Sequence, residues 1–162
     1  MSNFKRDRKG FLLAEETLKI IIAVICVVFL IYILVAVYNS NTSAKKIEEA
    51  KGVLLRFEEI ISFLKEGAIE SQDVFNPKGW HIYSFMEERP NSCLNENCIC
   101  ICDNSLIEQI KSQEKKCDEK GACLIVPNLL TSKLDLAITG TNDILFVGIR
   151  KQDGNIFIGE LK

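Results

Sequence analysis

Gly10-Phe11-Leu12-Leu13-Ala14-Glu15-Glu16-Thr17-Leu18-Lys19, followed by the apolar run from Ile20 to Tyr38, decides the reading of this 162-residue chain. The run holds nineteen residues and no charge. As an α-helix it would extend about 28 Å, close to the ~30 Å hydrocarbon thickness of a bilayer. A cleaved secretory signal has a shorter apolar region and ends in a small-residue cleavage site. This run ends in Val37-Tyr38-Asn39-Ser40, so the hydrophobic segment is expected to stay on the chain. Lys5, Arg6, Arg8 and Lys9 against Asp7 give the leader 1–10 a net charge of about +3. Basic flanks stay cytoplasmic, which sends the C-terminal part across the membrane. The whole chain has a formal charge of −2, leaving about −5 beyond the leader. A mildly acidic outer part gives no electrostatic basis for nucleic-acid binding.

A short basic leader ends in Lys9-Gly10, an apolar residue (Phe11) follows, an acid (Glu15) stands fifth after the glycine, and a membrane-length helix comes next. This pattern, from Lys5 to Tyr38, resembles the class III signal of type IV pilins, pseudopilins and archaeal pilin-like proteins. The resemblance implies cleavage after Gly10 by a prepilin-type signal peptidase and a mature chain beginning at Phe11. It implies that Glu15 meets the new α-amino group of a neighbouring subunit. A carboxylate in the bilayer is costly unless paired, and an amine in the same low-dielectric layer is a suitable partner. The implied partners are like or related pilin subunits, a filament assembly platform and membrane lipid. The implied location is a single-pass membrane protein with its C-terminal part outside, then an extracellular filament. Glu15 and Lys19 also stand at i,i+4 with the acid first, a favourable local pair on a helix. Glu16, Lys19 and the absence of proline between Phe11 and Tyr38 depart from major bacterial pilins and tilt the resemblance to archaeal or minor pilin-like proteins.

Four segments are expected: a basic leader 1–10, a transmembrane or filament-core helix 11–38, an amphipathic helix 39–68 and a β-rich extracytoplasmic head 69–162. Asn41-Thr42-Ser43 is a glycosylation sequon, a short motif that arises often by chance. From Ala44 to Glu66, Ile47, Ala50, Leu54, Phe57, Ile61 and Leu64 recur at steps of three and four, the signature of an amphipathic helix. Val53, Ile60 and Phe63 are expected to widen that stripe, and Gly67 to stop the helix. Asn76-Pro77-Lys78-Gly79 is a turn signal. Trp80 to Met86, Asn97 to Cys102, Ala122 to Val126, Leu134 to Ile138, Ile144 to Ile149 and Ile156 to Leu161 read as strands, with Asp153-Gly154 as a hairpin turn. Asn104 to Ser112 reads as a short helix. The fold class is α+β: a long N-terminal helix packed on a small antiparallel sheet stapled by disulfides.

Seven cysteines are present, and Cys26 falls inside the apolar run. The other six are Cys93, Cys98, Cys100, Cys102, Cys117 and Cys123. An even number outside a membrane argues for disulfides. In a strand, Cys98, Cys100 and Cys102 share one face, spaced ~6.6 Å apart, at the edge of the reach of a disulfide. Each is therefore expected to pair with one of Cys93, Cys117 and Cys123. The nested set Cys102–Cys117, Cys100–Cys123 and Cys93–Cys98 suits a chain that leaves the strand, forms the helix near Leu106 and returns antiparallel. Paired C-x2-C zinc units are absent, as is a C-x-x-C redox motif, so no metal and no cofactor is expected.

His81 is the sole histidine. No nucleophile elbow, phosphate loop or His-Glu metal motif accompanies it. The chain is read as a non-enzyme, a structural subunit, major or minor, of a type IV pilus-like surface filament. The alternative is an unprocessed single-pass signal-anchor protein with a small extracytoplasmic binding domain. A third reading is a membrane-tethered thiol-redox or metal-binding domain.

Overall fold

A computed structural model describes residues 8–104, 112–140 and 144–161, with side chains from Glu16 onward. The chain divides into two compact units, 1–42 and 43–162. The first helix, α1, runs Arg8–Phe63 and enters both. It continues through the polar stretch Asn39–Ser43 without a break. In the first unit the apolar side chains from Leu18 to Tyr38 are 40–70% exposed on every side. A helix apolar all round has no face that prefers water, and its natural surroundings are lipid or other apolar helices. It is the one helix among the described residues long and apolar enough to cross a membrane.

In the second unit α1 has a single buried stripe. Ala50, Leu54 and Phe57 are buried, with Ile47, Val53, Ile60 and Ile61 partly so, and Leu64, just past the helix end, is buried as well. Phe63 does not widen the stripe as expected: it is 80% exposed. At about 100° per residue it stands roughly 140° round from the stripe's centre. The helix ends at Phe63, before Gly67, which sits in a turn at φ 76° and donates its N–H to the Lys151 carbonyl at 2.9 Å.

Seven strands follow: β1 (Ile69–Val74), β2 (Trp80–Phe85), β3 (Cys98–Asp103), β4 (Gly121–Ile125), β5 (Asp135–Ala137), β6 (Leu145–Gln152) and β7 (Asn155–Glu160). They form two antiparallel sheets rather than one, in the orders β1-β6-β7 and β4-β3-β2-β5. Both sheets face one core. Val74, Val147, Ile149 and Ile158 from the first sheet and Trp80, Ile82, Ile99 and Ile101 from the second cluster with the stripe of α1. β1 was not expected as a strand, because in Ile-Glu-Ser-Gln-Asp-Val only Val74 is buried. As an edge strand it needs few inward side chains, and its charges discourage pairing with other chains.

A second helix, α2 (Gln113–Glu119), is also new. Its sequence is polar, and its buried residues are Lys116 and Cys117. Residues 105–111, the body of the helix expected at Asn104–Ser112, lie outside the described residues, and the two end residues are not helical. The Asp153-Gly154 turn joins β6 to β7 as expected. Both residues have positive φ (53° and 76°), the geometry of a two-residue hairpin whose twist matches its strands.

Phe57→Ala should lower stability by about 3–5 kcal/mol through loss of a fully buried ring. Phe63→Ser should leave it within ~0.5 kcal/mol, as for an ordinary surface change. Denaturant unfolding of the detergent-solubilised chain, followed by near-UV circular dichroism, measures both.

Candidate functional site

The strand Cys98-Ile99-Cys100-Ile101-Cys102 is buried on both faces, each of these residues being 0% exposed. Strand geometry sends the isoleucines to one face and the cysteines to the other. Ile99 and Ile101 join the core beneath α1. The cysteines build a second apolar layer with Tyr83, Phe85, Cys93 and Cys117. The aromatic rings come from β2, where Tyr83 stands opposite Cys100 and Phe85 opposite Cys98. Sulfur against an aromatic ring is a favourable contact.

The six outer cysteines form three disulfides: Cys93–Cys98, Cys100–Cys123 and Cys102–Cys117. This is the nested set expected for a chain that leaves the strand and returns antiparallel. Cys93 ends a single 3₁₀ turn (Asn91–Cys93), Cys117 lies on α2, and Cys123 lies on β4 directly across from Cys100. Restricting the unfolded chain gives about 2 kcal/mol for the short loop and about 3 kcal/mol for each longer one. The sulfurs of Cys93, Cys98 and Cys100 lie within 4.8 Å of one another, as do those of Cys100, Cys102 and Cys117. Such triads suit a soft metal only as thiolates; as disulfides they have none to offer.

Two features make room for this layer. Gly121 stands opposite Cys102. A Cβ there would meet the Cys117 carbonyl at 2.7 Å and Cys102 Sγ at 3.0 Å, so only glycine lets α2 approach β4. Asp118 on α2 ties the 3₁₀ turn in place. Its carboxylate accepts from the Asn91 and Ser92 backbone N–H groups, each at 2.9 Å, and from the Asn91 amide and Ser92 hydroxyl at 2.9 and 2.8 Å. Desolvation raises the pKa of this carboxyl, but these four hydrogen bonds outweigh it and hold the pKa below the usual carboxylate value.

A polar cluster borders the same layer. His81 Nδ1 lies 2.6 Å from Asp135 Oδ1, and the Asn104 amide nitrogen lies 3.3 Å from His81 Nε2. In the tautomer that carries the proton on Nδ1, His81 donates to Asp135 and its Nε2 accepts from the Asn104 amide. The Lys116 ammonium reaches Asn104 Oδ1 at 3.5 Å. Tyr83 stacks on the His81 ring at 5.7 Å between centroids. Burial, then the Asp135 charge, pushes its phenol up to about 12. Nε2, the atom that would act as a base, is occupied by the Asn104 amide, so the cluster reads as a clamp between β2, β5 and the segment after β3. Sequence reasoning missed it. The His81–Asp135 pair needs the β2–β5 register, in which Tyr83 faces Asp135, and no local motif announces that pairing.

Of the processing and assembly residues, Gly10, Phe11 and Glu15 fall within α1, and their side chains are outside the described residues. Asn41 is exposed on α1. The next residue, Thr42, shares its hydroxyl proton between the Tyr38 and Asn39 carbonyls at 3.1 and 2.9 Å, so the sequon is helical rather than in a loop. Among the described depressions, one of about 180 Å³ is lined by Ile61, Leu124, Val126 and Ile156, with Glu58 and Lys151 as its charged members. Comparison with protein-family models, curated proteins and solved structures finds no match for this chain.

Gly121→Ala should lower stability by about 1–3 kcal/mol, the usual cost of overpacking, measured by denaturant unfolding of the oxidised protein. Asp118 contributes stability above the carboxyl pKa of the unfolded chain, near its ordinary value of 3.8, and that contribution is lost as pH falls through the lower folded value. Asp118→Asn should therefore be less stable than the parent at pH 7, and the gap should close on acidification. A gap independent of pH would assign the loss to packing instead.

Proposed function

We propose that this chain is a structural subunit, major or minor, of a type IV pilus-like surface filament, cleaved after Gly10 and assembled through its N-terminal helix. One observation carries the reading. α1 is apolar on every side from Ile20 to Tyr38, yet the same helix supplies Ala50, Leu54 and Phe57 to the core of a disulfide-bonded β-rich unit. A helix with no polar face gains most by packing among like helices or in lipid. The basic leader and Lys9-Gly10-Phe11 before it match the resemblance to a class III signal, and Glu15 follows at the acidic position. In this reading the chain is not an enzyme. A prepilin-type peptidase exposes the Phe11 amine, and Glu15 pairs with that amine on a neighbouring subunit. The β-rich unit then lies outside the cell, where its three disulfides are maintained.

The N-terminus and intact mass of protein isolated from native membranes or shed filaments test this. A chain beginning at Phe11, lighter by the six hydrogens of three disulfides, is the expected result. A chain still beginning at Met1 or Ser2 would leave the signal-anchor alternative. Gly10→Val should block maturation and assembly, and normal filaments in that variant would overturn the proposal. Glu15→Ala should reduce incorporation while leaving cleavage intact; unchanged incorporation would assign Glu15 to the local pair with Lys19.

A further inference from the structure

Two surfaces of the β-rich unit have complementary chemistry. The first is the tip of the connection from β2 to β3. Leu94 is 74% exposed and stands in the left-handed region (φ 51°, ψ 33°), followed by Asn95 at φ 65°. That conformation is costly for a bulky side chain and persists where the surroundings enforce it. Here the Cys93–Cys98 disulfide closes the loop, and the Arg89 guanidinium donates to the Asn95 carbonyl at 3.0 Å and to Asn97 Oδ1 at 2.8 Å. Glu87, Glu88 and Glu96 of the same connection are exposed and form no ion pair among the described residues. The tip is a braced apolar knob beside three carboxylates.

The second is the outer face of the sheet β1-β6-β7. Val147, Ile149, Ile156 and Ile158 enter the core, so alternation turns their neighbours outward. Arg150 stands between Ile69 and Phe157, and two residues along, Gly148 stands opposite Gly159. A depression of about 400 Å³ lies there, lined by these residues and Leu161. Gly148 makes room for Leu161, whose Cγ would lie 2.7 Å from a Cβ at that position. Gly159 has no such reason within the chain: a Cβ there would meet nothing within 4 Å, and its φ is not left-handed. Glycine weakens a strand interior and often marks the close approach of a ligand or a second backbone. The Arg150 guanidinium is held over the Phe157 ring, 5.1 Å from its centroid, and has no carboxylate partner among the described residues.

We propose that the Leu94 tip of one copy docks in the Gly148–Gly159 depression of a second copy. Leu94 packs against Phe157 and Leu161, and the carboxylates beside it meet Arg150. Charge selects this occupant: the tip offers unpaired acids around an apolar side chain, and the depression offers an unpaired guanidinium beside an apolar floor. Leu94 does not line the depression of its own chain, so the contact joins different copies. The two surfaces share no residue, which makes the contact heterologous: each docked copy keeps one free tip or one free depression for the next. The contact requires no cleavage after Gly10, so it stands or falls separately from the processing step.

The test uses uncleaved full-length protein in phosphatidylcholine vesicles. A chain carrying Leu94→p-benzoylphenylalanine is mixed with an equal amount of isotope-labelled parent chain, irradiated, digested and mapped by mass spectrometry. The expected product is a covalent dimer of the two chains, attached within residues 145–161 of the labelled one. Absence of a dimer, attachment elsewhere on the labelled chain, or attachment to lipid alone would overturn the proposal. Arg150→Glu in the labelled chain should cut the dimer yield about tenfold, since like charges then face each other. Adding Glu87→Lys, Glu88→Lys and Glu96→Lys to the photoreactive chain should restore it. An unchanged yield in the first case, or no recovery in the second, would remove the charge pairing on which the choice of partner rests. Gly159→Val has room for its side chain, so it should keep the near-UV circular dichroism of the parent while lowering the yield. An unaltered yield there would exclude the glycine floor as the docking surface. The cross-link map of the otherwise unaltered chains decides the proposal even if a charge variant fails to fold.

Discussion

Burial of β3 on both faces is the constraint on which the rest of the β-rich unit depends. Antiparallel sheets in small domains commonly leave one face to water. Here Ile99 and Ile101 point to the core shared with α1, while Cys98, Cys100 and Cys102 point into a separate layer. Something has to cover that second face, and the chain has no other long helix among its described residues to do it. The cover is short: one 3₁₀ turn and the seven-residue α2, with strand β4 paired beside β3 in the same sheet. Such pieces bury too little apolar surface to hold themselves in place. Each is bonded covalently to β3 instead, so the disulfides position the layer as well as stabilising it.

Polar contacts complete what the disulfides begin. Asp118 spends both carboxylate oxygens on the 3₁₀ turn, which holds α2 and Cys93 in a common frame. His81 joins Asp135 and Asn104, linking β5 and the segment after β3 to the same sheet. The partners are the 3₁₀ turn for Asp118, and the edge strand β5 with the segment after β3 for His81. These networks fix connections, whereas the sheets themselves rest on their ladders and on the core.

The N-terminal helix obeys a different rule along its length. From Ile20 to Tyr38 no face is favoured, and from Ile47 to Ile61 one stripe is. The first pattern asks for an apolar medium and the second for a folded partner in water. A surface filament satisfies both, since subunit helices can supply the medium while each β-rich unit remains solvated. In that proposal the three disulfides would sit in an oxidising exterior, where such bonds persist.

Patterns that repeat locally could be read directly. The apolar run, the three-and-four spacing from Ile47 to Leu64, the Asp153-Gly154 turn and the alternation of Cys98 to Cys102 each reflect one element's own geometry. The alternation even narrowed the disulfide pairing, because it placed three thiols on one face too far apart to join each other. What needed distant partners could not be read. β1 and α2 are polar segments held by β6 and by a disulfide, not by a periodicity of their own. Phe63 is apolar but lies on the wrong side of α1. Division of the strands into two sheets, the His81–Asp135 contact and the approach of Cys100 to Cys93 all depend on register between segments far apart in the chain. The sequence by itself determined which stretches seek apolar surroundings and which cysteines share a face. Only the tertiary structure decided which stretches meet, because that choice rests on non-local packing that no short window contains.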